Sequence, residues 1–173
     1  NVWIGGNGRG MAPAARGAEP AGRGAQPAGG AGGVQGYFND AMVLKFTQTG
    51  KFLIQIGKPG QSKGSNDVEN LRLPAKTFVD KVANEVYVAD GYGNHRVIVY
   101  DADTGKYKRH WGAYGNKPDD TNLGPYDPNA PPAKQFRNPV HCADLSADRL
   151  LYVFQTDGAD FALSLGQDHF RRE

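Results

Sequence analysis

The residues able to do chemistry in this chain are few, and their settings differ. His141 lies inside a short apolar run, Asn138-Pro-Val-His-Cys-Ala-Asp, whereas His95 sits in a Gly/Asn-rich turn and His110 on a later strand-like run. The last two are expected to face solvent, and a lone strand histidine is more often a core or rim residue than a ligand. Cys142 is the single cysteine, so an internal disulfide is excluded. Asp119-Asp120 and Asp127 could suggest a calcium loop, but the EF-hand spacing is missing and solvated loop acids are the plainer reading. No nucleophile elbow, phosphate-binding loop or zinc-finger spacing occurs. Gly5-Gly-Asn-Gly8 is a lone glycine cluster with no phosphate-binding context. The charged constellation with a readable geometry is Asp90-Gly-Tyr-Gly-Asn94-His-Arg96. Asp90 closes one strand and Arg96 opens the next, so the guanidinium can reach back across the hairpin to the carboxylate. Asn94 is expected to tolerate a left-handed turn conformation between them.

Those residues need a scaffold, and composition says which kinds are excluded. The 173 residues carry a formal net charge of +2, too small to imply a nucleic-acid partner. No apolar run approaches the roughly 18–20 residues of a membrane-spanning helix. Asn1-Val-Trp-Ile reads as a strand entered mid-pattern, which leads to the expectation that the chain is a fragment. Residues 9–29 form a seven-residue tandem repeat, with units starting at Arg9, Arg16 and Arg23. Gly and Pro in each unit exclude a coiled coil, since Pro costs a helix about 3 kcal/mol and Gly about 1. The stretch 9–36 is therefore expected to be a disordered insert.

With the insert set aside, a longer repeat emerges. Asn1-Val-Trp-Ile, Glu85-Val-Tyr-Val and Leu150-Leu-Tyr-Val are three copies of one short strand. After the first copy come Val43-Leu-Lys-Phe, a turn, and Lys51 to Gly57; after the second come Val97-Ile-Val-Tyr, a turn, and Lys106 to Gly112. Pro74 precedes Val86, and Pro139 precedes Leu151, by the same interval. Each unit reads as four short strands, with Pro opening the first and Asn84 and Gly105 supplying turns. Such units are the mark of propeller blades.

The segment Tyr87-Val-Ala-Asp90-Gly-Tyr-Gly-Asn94-His-Arg96-Val-Ile-Val-Tyr100 resembles the NHL repeat, with Asp90, Asn94, Arg96 and Val97 matching its pattern. The resemblance implies an all-β chain: a partial NHL-type β-propeller of about two to three blades of four-stranded antiparallel sheet, part of a six-bladed ring. The expected organisation is a partial blade over 1–57 interrupted by the insert, a loop over 58–73 and a complete blade over 74–112. A Pro/Asp-rich loop over 113–137, the start of a third blade over 138–154 and an atypical tail over 155–173 follow. Within the tail, residues 160–172 are expected to form a weak helix.

The chain is most similar, within that family, to the peptidyl-α-hydroxyglycine lyase group. That likeness implies His141 as a ligand of an axial Zn²⁺, Tyr92 as a base or stabiliser near the substrate, and zinc and calcium in the intact propeller. It also implies an extracytoplasmic location, periplasmic or secreted. The lyase pattern has Pro-His directly, whereas Val140 intervenes here; Gln155-Thr156 stand where that group carries an Arg, and Lys76 occupies the position equivalent to His141. The leading expectation is a binding or scaffold module for a protein or small-molecule ligand, completed by the remaining blades; the alternative is a Zn-dependent lyase.

Overall fold

A computed structural model describes residues 1–6, 41–127, 129–131 and 133–156, together with the backbone of 161–166. The chain is all-β, with three antiparallel sheets and, among the described residues, one 3-10 turn at Ala113–Gly115. The first sheet holds β1 (Val2–Gly6), β2 (Met42–Phe46) and β3 (Phe52–Ile56) in that order. The second, four-stranded, runs β4 (Lys76–Asp80), β5 (Glu85–Asp90), β6 (Arg96–Asp101) and β7 (Tyr107–Trp111). The third holds β8 (Val140–Leu145), β9 (Leu151–Thr156) and β10 (Phe161–Gly166). No helix among the described residues is long and apolar enough to cross a membrane. The heptapeptide insert falls outside the described residues.

The second sheet is covered on both faces, which explains its unbroken apolar strands. Successive strand side chains point to opposite faces. Val86, Val88, Ile98 and Tyr100 pack on Val43 and Ile56 of the first sheet and on Leu71. Tyr87, Ala89, Val97, Val99 and Trp111 pack the other way, against Val140, Ala143, Leu151 and Val153 of the third sheet and the loop residue Phe136. Every β5 residue is therefore buried. Fully burying one such aliphatic side chain stabilises by about 1.5–3 kcal/mol, so both faces contribute.

Two hairpins in different sheets share a detail. The β2–β3 register shifts between Lys45 and Phe46, and the β6–β7 register shifts between Val99 and Tyr100. Just beyond each shift stands an edge-to-face aromatic pair: Phe46 on Phe52 with centroids 5.8 Å apart, and Tyr100 on Tyr107 at 6.4 Å. The β4–β5 and β8–β9 turns each hold a left-handed residue, Asn84 at φ 54° and Arg149 at φ 66°.

Polar groups tie the sheets together. Lys45 Nζ donates to the Ala102 carbonyl, linking the first sheet to the β6–β7 turn. Arg149 donates to Asp80 Oδ2 at 2.6 Å, and Lys76 to Asp144 Oδ2 at 2.5 Å, linking the second sheet to the third. The tail departs from expectation. Where a weak helix was anticipated, Phe161–Gly166 forms β10 and pairs antiparallel with β9, from Phe161 opposite Thr156 to Gly166 opposite Leu151. A neighbouring strand edge offers this segment a ladder of hydrogen bonds that an isolated weak helix lacks.

Candidate functional site

At the end of β5 the chain builds a buried charge cluster. Asp90 and Arg96 face each other in the β5–β6 register, and both side chains are fully buried. Arg96 Nε donates to Asp90 Oδ2 at 2.9 Å, and a second guanidinium nitrogen lies 2.8 Å from the same oxygen. The remaining donors reach the carbonyls of Ser65 at 2.9 Å, Asn70 at 2.7 Å, and Asp67. Asp90 Oδ1 accepts the Arg72 backbone N–H at 2.9 Å. Burial pushes the Asp90 carboxyl up, against the opposing pull of the Arg96 charge, the Asn94 amide and the Arg72 N–H. The loop over 58–73 is thereby wound around one guanidinium.

Asn94 differs from expectation. Its backbone does not have a positive φ, unlike Asn84. Its side-chain amide donates to Asp90 Oδ2 at 2.7 Å, and its Oδ1 is buried without a hydrogen-bond partner among the described residues. A short amide side chain serves here as a brace for a buried carboxylate, not as a turn former.

Directly after Asp90 the chain touches β8. Gly91 forms an isolated bridge with Val140, whose N–H donates to the Gly91 carbonyl at 3.1 Å. A Cβ on Gly91 would collide with the Val140 backbone. β8 opposes Val140 to Gln155 and Cys142 to Phe154, which leaves His141 as the extra residue of a bulge. The bulge has a packing cause. Val140 and Ala143 are both buried in the same cluster, yet three residues apart they would point to opposite faces of a regular strand. Inserting His141 reconciles them and leaves its own side chain exposed.

The bulge brings together the two residues singled out for chemistry. The Tyr92 and His141 rings meet edge to face with centroids 5.9 Å apart. One comes from the β5–β6 loop of the second sheet and the other from β8, an edge strand of the third. Lys76, equivalent in sequence to His141, is occupied with Asp144. Burial pushes the neighbouring Cys142 thiol up, so it remains a thiol at neutral pH.

No family model matches this chain, and none of the curated proteins matches it either. What the site can do rests on its own donors. A phenol and an imidazole in contact offer hydrogen bonds of both senses and an aromatic surface. Among the described residues no group of three or more His, Cys, Asp or Glu side chains could hold a metal ion. His141 and the loop acids Asp119, Asp120 and Asp127 thus belong to no such group among the described residues.

Other residues carry roles that the sequence did not announce. His95 is half-buried, with Nδ1 2.9 Å from the Phe136 carbonyl and its N–H donating to Ser65 Oγ at 2.7 Å. His110 is half-buried as well, 2.8 Å from the Tyr107 hydroxyl; burial, reinforced by the Arg96 and Lys117 charges, lowers its pKa and keeps it neutral at pH 7. Neither faces open solvent as expected. Asp120 accepts from the Ser65 N–H at 2.9 Å and from its hydroxyl, so it docks one long loop on another. Glu85, a buried carboxylate, receives both guanidinium nitrogens of Arg109 at 2.8 and 2.9 Å, with Lys108 at 2.7 Å.

Proposed function

We propose that this chain is part of an NHL-type β-propeller and acts as a binding module, with the paired Tyr92 and His141 rings at the centre of its recognition surface. The observation that carries the reading is their meeting at the junction of two sheets, where an exposed imidazole stands on a bulge beside a tyrosine. The propeller assignment is supported by the shared register shift and aromatic pair of two hairpins in different sheets, and by stacking that buries both faces of the second sheet. The partner is a protein segment or small molecule, not a nucleic acid.

The test is a peptide-display selection on the folded protein, with the Tyr92→Ala/His141→Ala variant as counter-target. Sequences that bind wild type about tenfold tighter than the variant support the reading. Binders that ignore the double substitution would overturn it.

A second reading is favoured by the same ring pair: a lyase of the peptidyl-α-hydroxyglycine type, with Tyr92 assisting proton transfer and His141 contributing one of several zinc ligands. Metal analysis separates the two. Equimolar zinc lost on His141→Ala, with conversion of a peptidyl-α-hydroxyglycine to amide and glyoxylate, establishes the lyase; a metal-free protein without turnover removes it. An extracytoplasmic location belongs to the same proposal, and fractionation of cells expressing the natural gene tests it.

A further inference from the structure

The first sheet turns one face to the second and leaves the other open. Val2 stands opposite Phe46 and Phe46 opposite Phe52, while Ile4 stands opposite Leu44. Cross-strand partners share a face, so these five side chains form one apolar surface. Val2 is 46% exposed, Ile4 53% and Phe52 52%, and Leu44 and Phe46 are half-buried. A contiguous apolar patch of this kind marks an interaction surface.

The internal repeat says what covers it. Val2 and Ile4 correspond in sequence to Val86 and Val88 of β5 and to Leu151 and Val153 of β9. The register agrees: Phe46 and Leu44 oppose Val2 and Ile4 as Tyr100 and Ile98 oppose Val86 and Val88. In the second sheet this set is buried against Trp3, Val43, Ile54 and Ile56 of the first. In the third, Leu151 and Val153 are buried against Tyr87, Val97, Val99 and Trp111 of the second. Trp3 and Tyr87 are themselves equivalent positions. Each Val86-type face is thus covered by the Tyr87-type face of the sheet before it. The equivalent of Tyr87 in the third sheet is Tyr152, and it is partly exposed on a face shared with Phe154. The chain therefore carries, at its two ends, an open face of each kind.

We propose that this chain forms a head-to-tail dimer, in which the open face of each copy's first sheet packs on the Tyr152 face of the other copy's third sheet. Contacts between unlike faces end in a ring when the rotation closes. Two copies supply six sheets, within the four to eight of a closed propeller, so both pairs of end faces are covered at once. Closure rests on the propeller reading proposed above; the contact itself rests on the repeated burial pattern.

Sedimentation equilibrium of the whole chain tests the dimer. Wild type is expected to be dimeric, with the dissociation constant raised about tenfold or more by Ile4→Lys on one face and by Tyr152→Lys on the other. Val82→Lys is the control, because Val82 is 87% exposed in a turn of the middle sheet, and it is expected to leave the dimer intact. Protection of the β5 and β6 amides from exchange verifies folding, and Val2→Lys and Phe154→Lys serve as second substitutions on the two faces. A monomeric wild type overturns the inference and leaves the propeller reading standing. A dimer indifferent to substitution of either face also overturns it. An open-ended series of oligomers, broken by both substitutions, overturns the closed dimer together with the six-sheet ring that closure requires.

Discussion

Arg96 has five N–H donors, and the structure supplies an acceptor for each: two contacts to Asp90 and the carbonyls of Ser65, Asp67 and Asn70. A planar fork satisfied in this way cannot be exchanged for an ammonium, which has three donors and no fixed geometry. Arg96→Met leaves Asp90 as an uncompensated buried charge, and the expected loss is about 3–5 kcal/mol of unfolding free energy in a urea titration. Arg96→Lys is expected to lose most of the same amount. The double variant Asp90→Asn/Arg96→Met should be less destabilised than Arg96→Met alone; if it is not, the charge left on Asp90 is not the source of the cost. Glu85 makes a different prediction, about pH. Burial alone would raise its pKa, but Arg109, Lys108 and the Tyr87 hydroxyl outweigh it and lower the value to about 2. The folded pKa thus lies below the ordinary 4.5, so the contribution of Glu85 is complete above that value and is lost as the pH falls toward 2. Stability measured across that window should fall more steeply in wild type than in Glu85→Gln. Parallel pH profiles would show that the carboxylate charge is not what Arg109 stabilises.

At the scale of the element, the contact of Gly91 with Val140 sets how closely the second and third sheets approach beside the Tyr92–His141 pair. Gly91→Ala places a methyl group into the Val140 backbone, so β8 must retreat. Overpacking of this kind costs about 1–3 kcal/mol. The Tyr92–His141 ring contact should separate with it, visible as loss of ring-current shifts on the His141 protons. Unchanged shifts would mean that the two residues are positioned by something other than the bridge. How much of this was legible in the sequence depends on which forces set each element. β5 and β6 are readable because apolar residues at both parities mark strands covered on two sides. The Pro74 and Pro139 intervals correctly align the strand pairs β4–β5 and β8–β9 to within a residue. The bulge at His141 was not readable, since it arises only when Val140 and Ala143 are both drawn to one cluster with Tyr87, Val97 and Trp111 of the second sheet, residues distant in sequence. The role of Asn94 was misread for a related reason: its amide serves a buried carboxylate, which local turn preference does not register. The strand character of Phe161–Gly166 was legible in its own alternation, Phe161, Leu163 and Leu165 against Ala162, Ser164 and Gly166, and the free edge of β9 supplies the pairing.

For the molecule as a whole, the described sheets form a stack in which the second is the middle layer. Its strands β5 and β6 are shielded on both faces, whereas β3 of the first sheet keeps Phe52 and Leu53 exposed, and the loop after Gly112 is largely solvent-facing. Burial so uneven should produce a gradient of local stability, since opening free energies range from near zero in exposed segments to the global value in the core. Hydrogen exchange is therefore expected to be slowest in β5 and β6, faster in β3 and β7, and fastest across residues 119–131. The ion pair from Arg149 to Asp80 gives this gradient a lever on one side only, because it joins the third sheet to the second and touches nothing in the first. Arg149→Ala should accelerate exchange in β8 and β9 while leaving β2 unchanged. Uniform acceleration of β2, β5 and β8 would instead show that the three sheets open as one unit, and that the layers have no separate stability for the pair to tune.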